Sequence, residues 1–202
     1  MHNDNETKPV GLNGAVFWIA IAFSSFQLLT AAFSPLSSQV VRAIHVGFVI
    51  LLVFALHPPF QRRSGGLHTA GKVAGWALGI TGFAFSLYHW VFEADLTQRA
   101  GELIAMDWVI GVVTIALVFE AARRVMGWGL PLICGIFLAY GLFGQYLPGA
   151  LAHRGFGVDQ VVSALGFGTE GIYGTPTYVS STYIFLFILF GAFLEQAGMI
   201  QL

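Results

Sequence analysis

Six long apolar runs divide this sequence, and they limit what the chain can fold into. They cover residues 15–33, 40–56, 73–92, 106–122, 129–147 and 177–194. A helix needs about 20 predominantly apolar residues to cross the hydrocarbon core of a bilayer. A membrane strand would instead alternate apolar and polar residues over about 10 positions, which these nearly continuous runs do not do. The pattern therefore predicts an all-α polytopic bundle of about six transmembrane helices.

The low charge content supports a membrane location and narrows the classes of function. Only 9% of the 202 residues are charged, against about 25% in an ordinary soluble protein. Membrane lipid is thus an expected partner. The net charge of −1 argues against nucleic acid as another. The single cysteine allows no disulfide within the chain, and because no phosphate loop, nucleophile elbow or metal-spaced His/Cys cluster is present, we predict no enzyme and no resident cofactor.

The charges between the runs predict the orientation of the helices. Most basic residues fall on one side of the bundle if the N-terminus is cytoplasmic: Lys8, Arg62, Arg63, Lys72, Arg123 and Arg124. The other side receives mainly acidic residues: Glu93, Asp95, Glu102, Asp107, Asp159 and Glu170. Because basic connecting segments face the cytoplasm, we predict a multi-pass protein of the bacterial inner membrane with both termini cytoplasmic.

Two segments depart from this regular pattern. The run 106–122 is the weakest of the six, because Asp107 and Glu120 bound a short apolar stretch. Residues 151–176 mix apolar and polar side chains in an amphipathic pattern that is too polar to span, so we predict a helix lying in the interface plane. Pro176 then suits the start of the last helix, where its missing N–H leaves no bond unmade.

The third predicted helix carries glycines at nearly four-residue spacing, from just before the apolar run into its middle: Gly71, Gly75, Gly79 and Gly82. Small residues on one stripe let a neighbouring backbone approach closely in lipid. A tight helix contact is one interpretation of this stripe. The other is that glycine is simply common in membrane helices.

Polar residues within or beside the runs are candidate sites, because ionisable groups in a membrane are costly. Arg42 and His45 lie one turn apart, and form either an inward-facing polar pair or an interfacial arginine beside a packed histidine. His45 and His89 also leave open a haem held between two helices, although paired facing imidazoles would be needed.

The end of the fourth run carries a group of charges at helical spacing. Glu120 precedes Arg123 and Arg124 by three and four residues, which allows an ion pair within one helix or a simple interfacial anchor. Glu195 ends the last helix and is most simply an interface charge. The acidic segment 93–107 either docks a soluble partner or is a solvated loop.

Several motifs together resemble the fused permeases of TRAP transporters of the TAXI type. They comprise Arg42-Ala43-Ile44-His45, residues 107–111 (DWVIG), 120–128 (EAARRVMGW) with Leu130-Pro131, 146–149 (YLPG), 151–155 (LAHRG), 169–176 (TEGIYGTP) and 185–195 (FLFILFGAFLE). Glu170 lies in the strongest of these motifs. The resemblance covers most of the chain after about residue 14.

This resemblance implies part of a secondary transporter driven by a sodium gradient. A periplasmic TAXI-type binding protein would deliver the substrate, an organic acid or an amino acid such as glutamate. Residues 1–14 would be a polar tail, 15–127 a four-helix small-subunit-like domain, 128–150 a connecting helix, and 151–202 the amphipathic arm and first helix of the large subunit.

Members of the family are several hundred residues long, so we expect this chain to lack the later helices that bind substrate and sodium. The expected role is a scaffold that does not transport alone and whose partner is the remainder of the large subunit. The competing interpretations are a stand-alone membrane protein that binds a redox cofactor and a membrane adaptor.

Overall fold

A computed structural model describes residues 14–58, 66–99 and 102–199. Lys8, Arg62, Arg63 and almost all of the predicted tail 1–14 lie outside these described residues. Eight helices form within them: α1 Gly14–Phe33, α2 Ser38–Leu56, α3 Gly66–Val91, α4 Glu93–Arg99, α5 Ala105–Met126, α6 Gly129–Phe143, α7 Val158–Gly166 and α8 Thr175–Gln196. No strand is present in the described part of the chain. The predicted all-α fold is confirmed.

Five helices are long and apolar enough to cross a membrane: α1, α2, α5, α8 and Gly129–Tyr146, which is α6 with its final 3₁₀ turn. The exception among the long helices is α3. It has 26 residues, which at about 1.5 Å per residue exceeds the thickness of the hydrocarbon core. Lys72, Thr81, Ser86 and His89 lie within α3, and it is not among the five helices that are apolar enough to span.

The prediction that 106–122 is the weakest run was wrong. The helix α5 extends over 22 residues, because Asp107 and Glu120 lie inside it and each finds polar partners. Gly127 ends α5 with a φ of 77°, a left-handed conformation that glycine adopts without strain. The acidic segment 93–107, predicted as a loop, contains the short helix α4.

The core lies between α1, α2, α3 and α5. Phe23, Val40, Ile44 and Phe48 form one buried cluster between α1 and α2. Ile50, Phe54, Leu117 and Ala121 form a second cluster between α2 and α5. By contrast, α6 has no buried residue, and Ser181 is the only buried residue of α8.

Within the amphipathic segment 151–176, α7 is the one complete α-helix. Val162 and Gly166 are buried, and both lie against Gly111 of α5, whereas Asp159 and Gln160 are exposed. The last helix, α8, contains a π-turn at Ser180–Ile184. Such a turn inserts an extra residue and often marks a functional position.

Candidate functional site

A polar cavity lies at one end of the bundle, where α2 begins, α3 ends and α5 begins. We call this space the α4 cavity, because α4 forms one of its walls. Its volume is about 290 Å³, and its lining includes His89, Glu93, Arg99, Glu102 and Asp107. Five ionisable side chains of the described chain thus line one cavity.

Asp107 is held firmly at the wall of this cavity. Its side chain is 1% exposed, and one carboxylate oxygen accepts a hydrogen bond of 2.6 Å from the Tyr88 hydroxyl. The other oxygen accepts from the backbone N–H of Ile104 at 3.2 Å and lies 3.3 Å from the Arg99 guanidinium. These partners compensate a carboxylate that would otherwise be costly to bury.

His89 is the opposite case, because it is buried without a partner. The residue is 2% exposed, and neither ring nitrogen makes a hydrogen bond within the described structure. Its ring packs against those of Phe167 and Tyr173. Since buried polar groups in proteins are nearly always paired, this unpaired imidazole in the wall of the cavity is an exception.

The cavity carries more negative than positive charge. Asp107 and Arg99 compensate each other, whereas the Glu93 and Glu102 carboxylates have no ion-pair or hydrogen-bond partner among the described residues. Gln39 lies at the cavity wall and donates to the Phe167 carbonyl oxygen at 2.6 Å, which fixes the loop after α7 to α2. The site can therefore offer carboxylate acceptors and an imidazole to a cationic group.

A second polar group, the His45 cluster, consists of Gln27 of α1, His45 of α2 and Ser180 of α8. The Gln27 amide donates to Nδ1 of His45, and Nε2 of His45 lies 3.3 Å from the Ser180 hydroxyl. Ser180 begins the π-turn of α8. The cluster thus joins three helices within a mostly aromatic environment that includes Phe23 and Phe185.

Arg42 faces the segment that precedes α8. Its guanidinium donates to the Tyr173 carbonyl oxygen at 2.8 Å and to the Ser38 hydroxyl at 2.9 Å. It also lies 4.8 Å from the centroid of the Tyr178 ring. Arg42 and His45 therefore contact the same part of the chain, although they do not contact each other through any of these bonds.

Charges at the opposite end of the bundle join α5 to α2. Glu120 accepts hydrogen bonds from Arg123 at 2.6 and 2.7 Å and from Arg124 at 2.7 Å. Arg124 also donates to the His57 carbonyl oxygen at 2.7 Å, and it lies 4.2 Å from the centroid of the Phe54 ring. Glu120 and the two arginines thus form ion pairs within α5, and Arg124 also supplies a hydrogen-bond donor to a backbone carbonyl at the C-terminal end of α2.

The glycines of α3 face α2. A Cβ at Gly75 would lie 2.7 Å from the Phe54 carbonyl oxygen, and one at Gly79 would lie 3.2 Å from Leu51. At Gly82 it would lie 2.5 Å from the side chain of Ile50. Gly71 is buried as well. This close approach makes the α2–α3 pair the most extensive helix contact in the described chain.

The remaining candidates lie apart from these groups. Glu170 and Glu195 are exposed. His45 and His89, considered together for haem, have separate sets of neighbours: Phe23 and Phe185 for the first, Phe167 and Tyr173 for the second. No group of three or more His, Cys, Asp or Glu side chains within the described ranges is placed to hold a metal ion.

The all-α fold and its five long apolar helices define a polytopic α-helical membrane protein. No family model, curated protein or solved structure matches the chain.

Proposed function

We propose that these helices form the scaffold portion of a TRAP-type permease of the TAXI type. The complete transporter would take up an organic acid or an amino acid with sodium, after delivery by a periplasmic binding protein. One observation carries this proposal: several residues in the motifs of the resemblance make contacts between elements. None of those contacts requires a substrate.

Three such contacts illustrate the point. Arg42 joins α2 to the Tyr173 carbonyl before α8, and Arg124 joins α5 to the His57 carbonyl after α2. The His153 imidazole lies 3.1 Å from the Tyr140 carbonyl oxygen and so fixes the chain after α6 to that helix. Residues that hold helices in position are what a bracing part of a transporter needs.

The outward faces of α6 and α8 support a partner for this scaffold. Both helices are apolar, yet almost none of their residues is buried in the described chain. We propose that lipid covers part of these faces and that the remainder of the large permease subunit covers the rest. The division at residues 15–127, 128–150 and 151–202 stays a prediction.

The sorting of charges supports an inner-membrane orientation with cytoplasmic termini. Arg123 and Arg124 lie at the end of α5, and Arg124 contacts His57, the residue that follows α2. The acidic side chains of the α4 cavity lie where α2 and α5 begin, at the other end of these helices. This arrangement follows the rule that basic connecting segments face the cytoplasm.

A reconstitution experiment tests the proposal. Proteoliposomes containing this chain together with the remainder of the large subunit should take up labelled glutamate when a TAXI-type binding protein and an inward sodium gradient are present. Proteoliposomes containing the chain alone should show no uptake. Sodium-independent uptake, or uptake by the chain alone, would contradict the scaffold role.

A further inference from the structure

We infer that the α4 cavity binds a small organic cation with a primary ammonium group. Two independent observations carry this inference. The unpaired Glu93 and Glu102 carboxylates give the cavity an excess of negative charge. Separately, the buried His89 imidazole at its wall has no hydrogen-bond partner among the described residues.

The first step concerns charge. The carboxylate of Asp107 is already compensated by Arg99 and by two hydrogen bonds, so it offers little to a ligand. The Glu93 and Glu102 carboxylates have no such partners. Because opposite charges attract more strongly in a partly enclosed space than in bulk water, the cavity favours a cation over an anion.

The second step concerns hydrogen bonding. An ammonium group has three N–H donors and no acceptor. Carboxylates and an unprotonated imidazole nitrogen are acceptors, and the cavity offers both kinds. A cation with N–H donors can therefore donate to the carboxylates and to the unprotonated nitrogen of His89, whereas a quaternary ammonium has no N–H to donate.

The third step concerns size and lining. A single metal ion needs its ligands within about 2.0–2.6 Å, and no group of three suitable side chains in the described ranges is placed to hold one. The acceptors are instead spread around about 290 Å³, with Leu96, Leu103 and Phe167 among the lining residues. A charged head attached to a short carbon chain suits this space better than an ion does.

Two sources could supply such an ammonium group. One is a free amine in solution. The other is the ethanolamine headgroup of a membrane lipid, because the cavity lies at the end of the bundle and headgroups lie beyond the hydrocarbon core that the helices cross. The test must separate these sources.

The test uses the full chain in detergent and isothermal titration with n-butylammonium, butyrate and tetramethylammonium. We expect saturable binding of n-butylammonium and at least tenfold weaker binding of the other two. The double variant E93Q/E102Q should weaken n-butylammonium binding at least tenfold. The matched control E170Q, which changes an exposed carboxylate outside the cavity, should leave the affinity within twofold.

A second measurement does not depend on these variants. The ring ¹⁵N signals of His89, assigned with an H89F variant, should shift on addition of n-butylammonium. Equal binding of butyrate, or unchanged affinity in E93Q/E102Q together with unshifted His89 signals, would overturn the inference.

The lipid arm repeats the titration in nanodiscs of phosphatidylethanolamine and of phosphatidylcholine. Weaker apparent n-butylammonium binding in phosphatidylethanolamine would identify the headgroup as a competing occupant of the same site. Equal affinity in the two lipids would identify a free amine as the ligand.

Discussion

Gly75 lies so close to α2 that a single added carbon has no room. An ideal Cβ at this position would be 2.7 Å from the Phe54 carbonyl oxygen, which is backbone and cannot rotate away. The helix pair would have to separate to accept it. The chain also contains a matched position, Gly191 of α8, where a Cβ would meet nothing within 4 Å.

We therefore expect Gly75→Ala to lower the free energy of unfolding by about 1–3 kcal/mol, the usual range for overpacking a close contact. Gly191→Ala should leave it unchanged or slightly raised, since alanine favours the helix. Thermal denaturation in detergent, followed by tryptophan fluorescence, measures both. Equal melting temperatures for the two variants would show that α3 does not pack against α2 as described.

Asp107 offers a second test at the scale of one residue. Asp107→Asn keeps the shape of the side chain but removes the charge that faces Arg99. Arg99 is 25% exposed and partly solvated. The variant should therefore lower the free energy of unfolding, measured by the same thermal denaturation, by about 1–2 kcal/mol. Breaking a fully buried pair would cost more. Glu170→Gln is the control, and a similar loss there would mean that the Arg99 pair contributes nothing specific.

The first half of helix α8 contacts the rest of the bundle through the Ser180 hydroxyl and through the ring of Phe185, which packs against Phe23. Ser180 contacts His45, and His45 contacts Gln27 of α1. In lipid, hydrogen bonds and close packing are the main forces between helices. Loss of this cluster should therefore loosen α8 while leaving the glycine-packed α2–α3 contact in place.

The variant His45→Ala tests this expectation. Hydrogen–deuterium exchange should become faster at Ser180–Ile184, because the π-turn leaves this part of the helix with irregular backbone bonds. Exchange in the middle of α3 should not change. Ser25→Ala, an exposed position on α1, is the control. Equally fast exchange in α3 would indicate general unfolding instead.

The long helices could be predicted from the sequence because their signal is strong. The bounds of α1 and α2 differ from the apolar runs by two residues at most, since Pro35 and Pro58 mark where those runs end. The polar groups could not be predicted in the same way. Gln27 is one polar residue inside an apolar run, and its partner His45 lies 18 positions further along.

The α4 cavity shows the same limit. Asp107 carries a sequence signal, but its position beside an apolar run indicates the end of a helix rather than a buried, compensated charge. From the sequence, His89 suggests only a haem ligand. Glu93 and Glu102 are ordinary acidic residues by sequence, and only the folding of α4 against the start of α5 brings them to the same space. The π-turn of α8 has no recognisable sequence signal at all.

At the scale of the whole molecule, we expect α3 to cross the membrane from the cytoplasmic side, with α4 on the opposite side. A Cys134→Ser background allows single cysteines at Lys72, at the start of α3, and at Gln98, on α4; both are exposed. In spheroplasts, a membrane-impermeant maleimide should label Q98C directly and K72C only after permeabilisation. Labelling of both from the same side would contradict the proposed crossing of α3.

The exposed thiol of Cys134 gives the unaltered chain a further use. It is the only cysteine in the sequence, and it lies on α6, where no residue is buried. A nitroxide attached to it would sense paramagnetic relaxation from oxygen in the acyl region or from a nickel chelate in water. A spin label on the native cysteine would thus report the immersion depth of α6 in the bilayer without any engineered mutation.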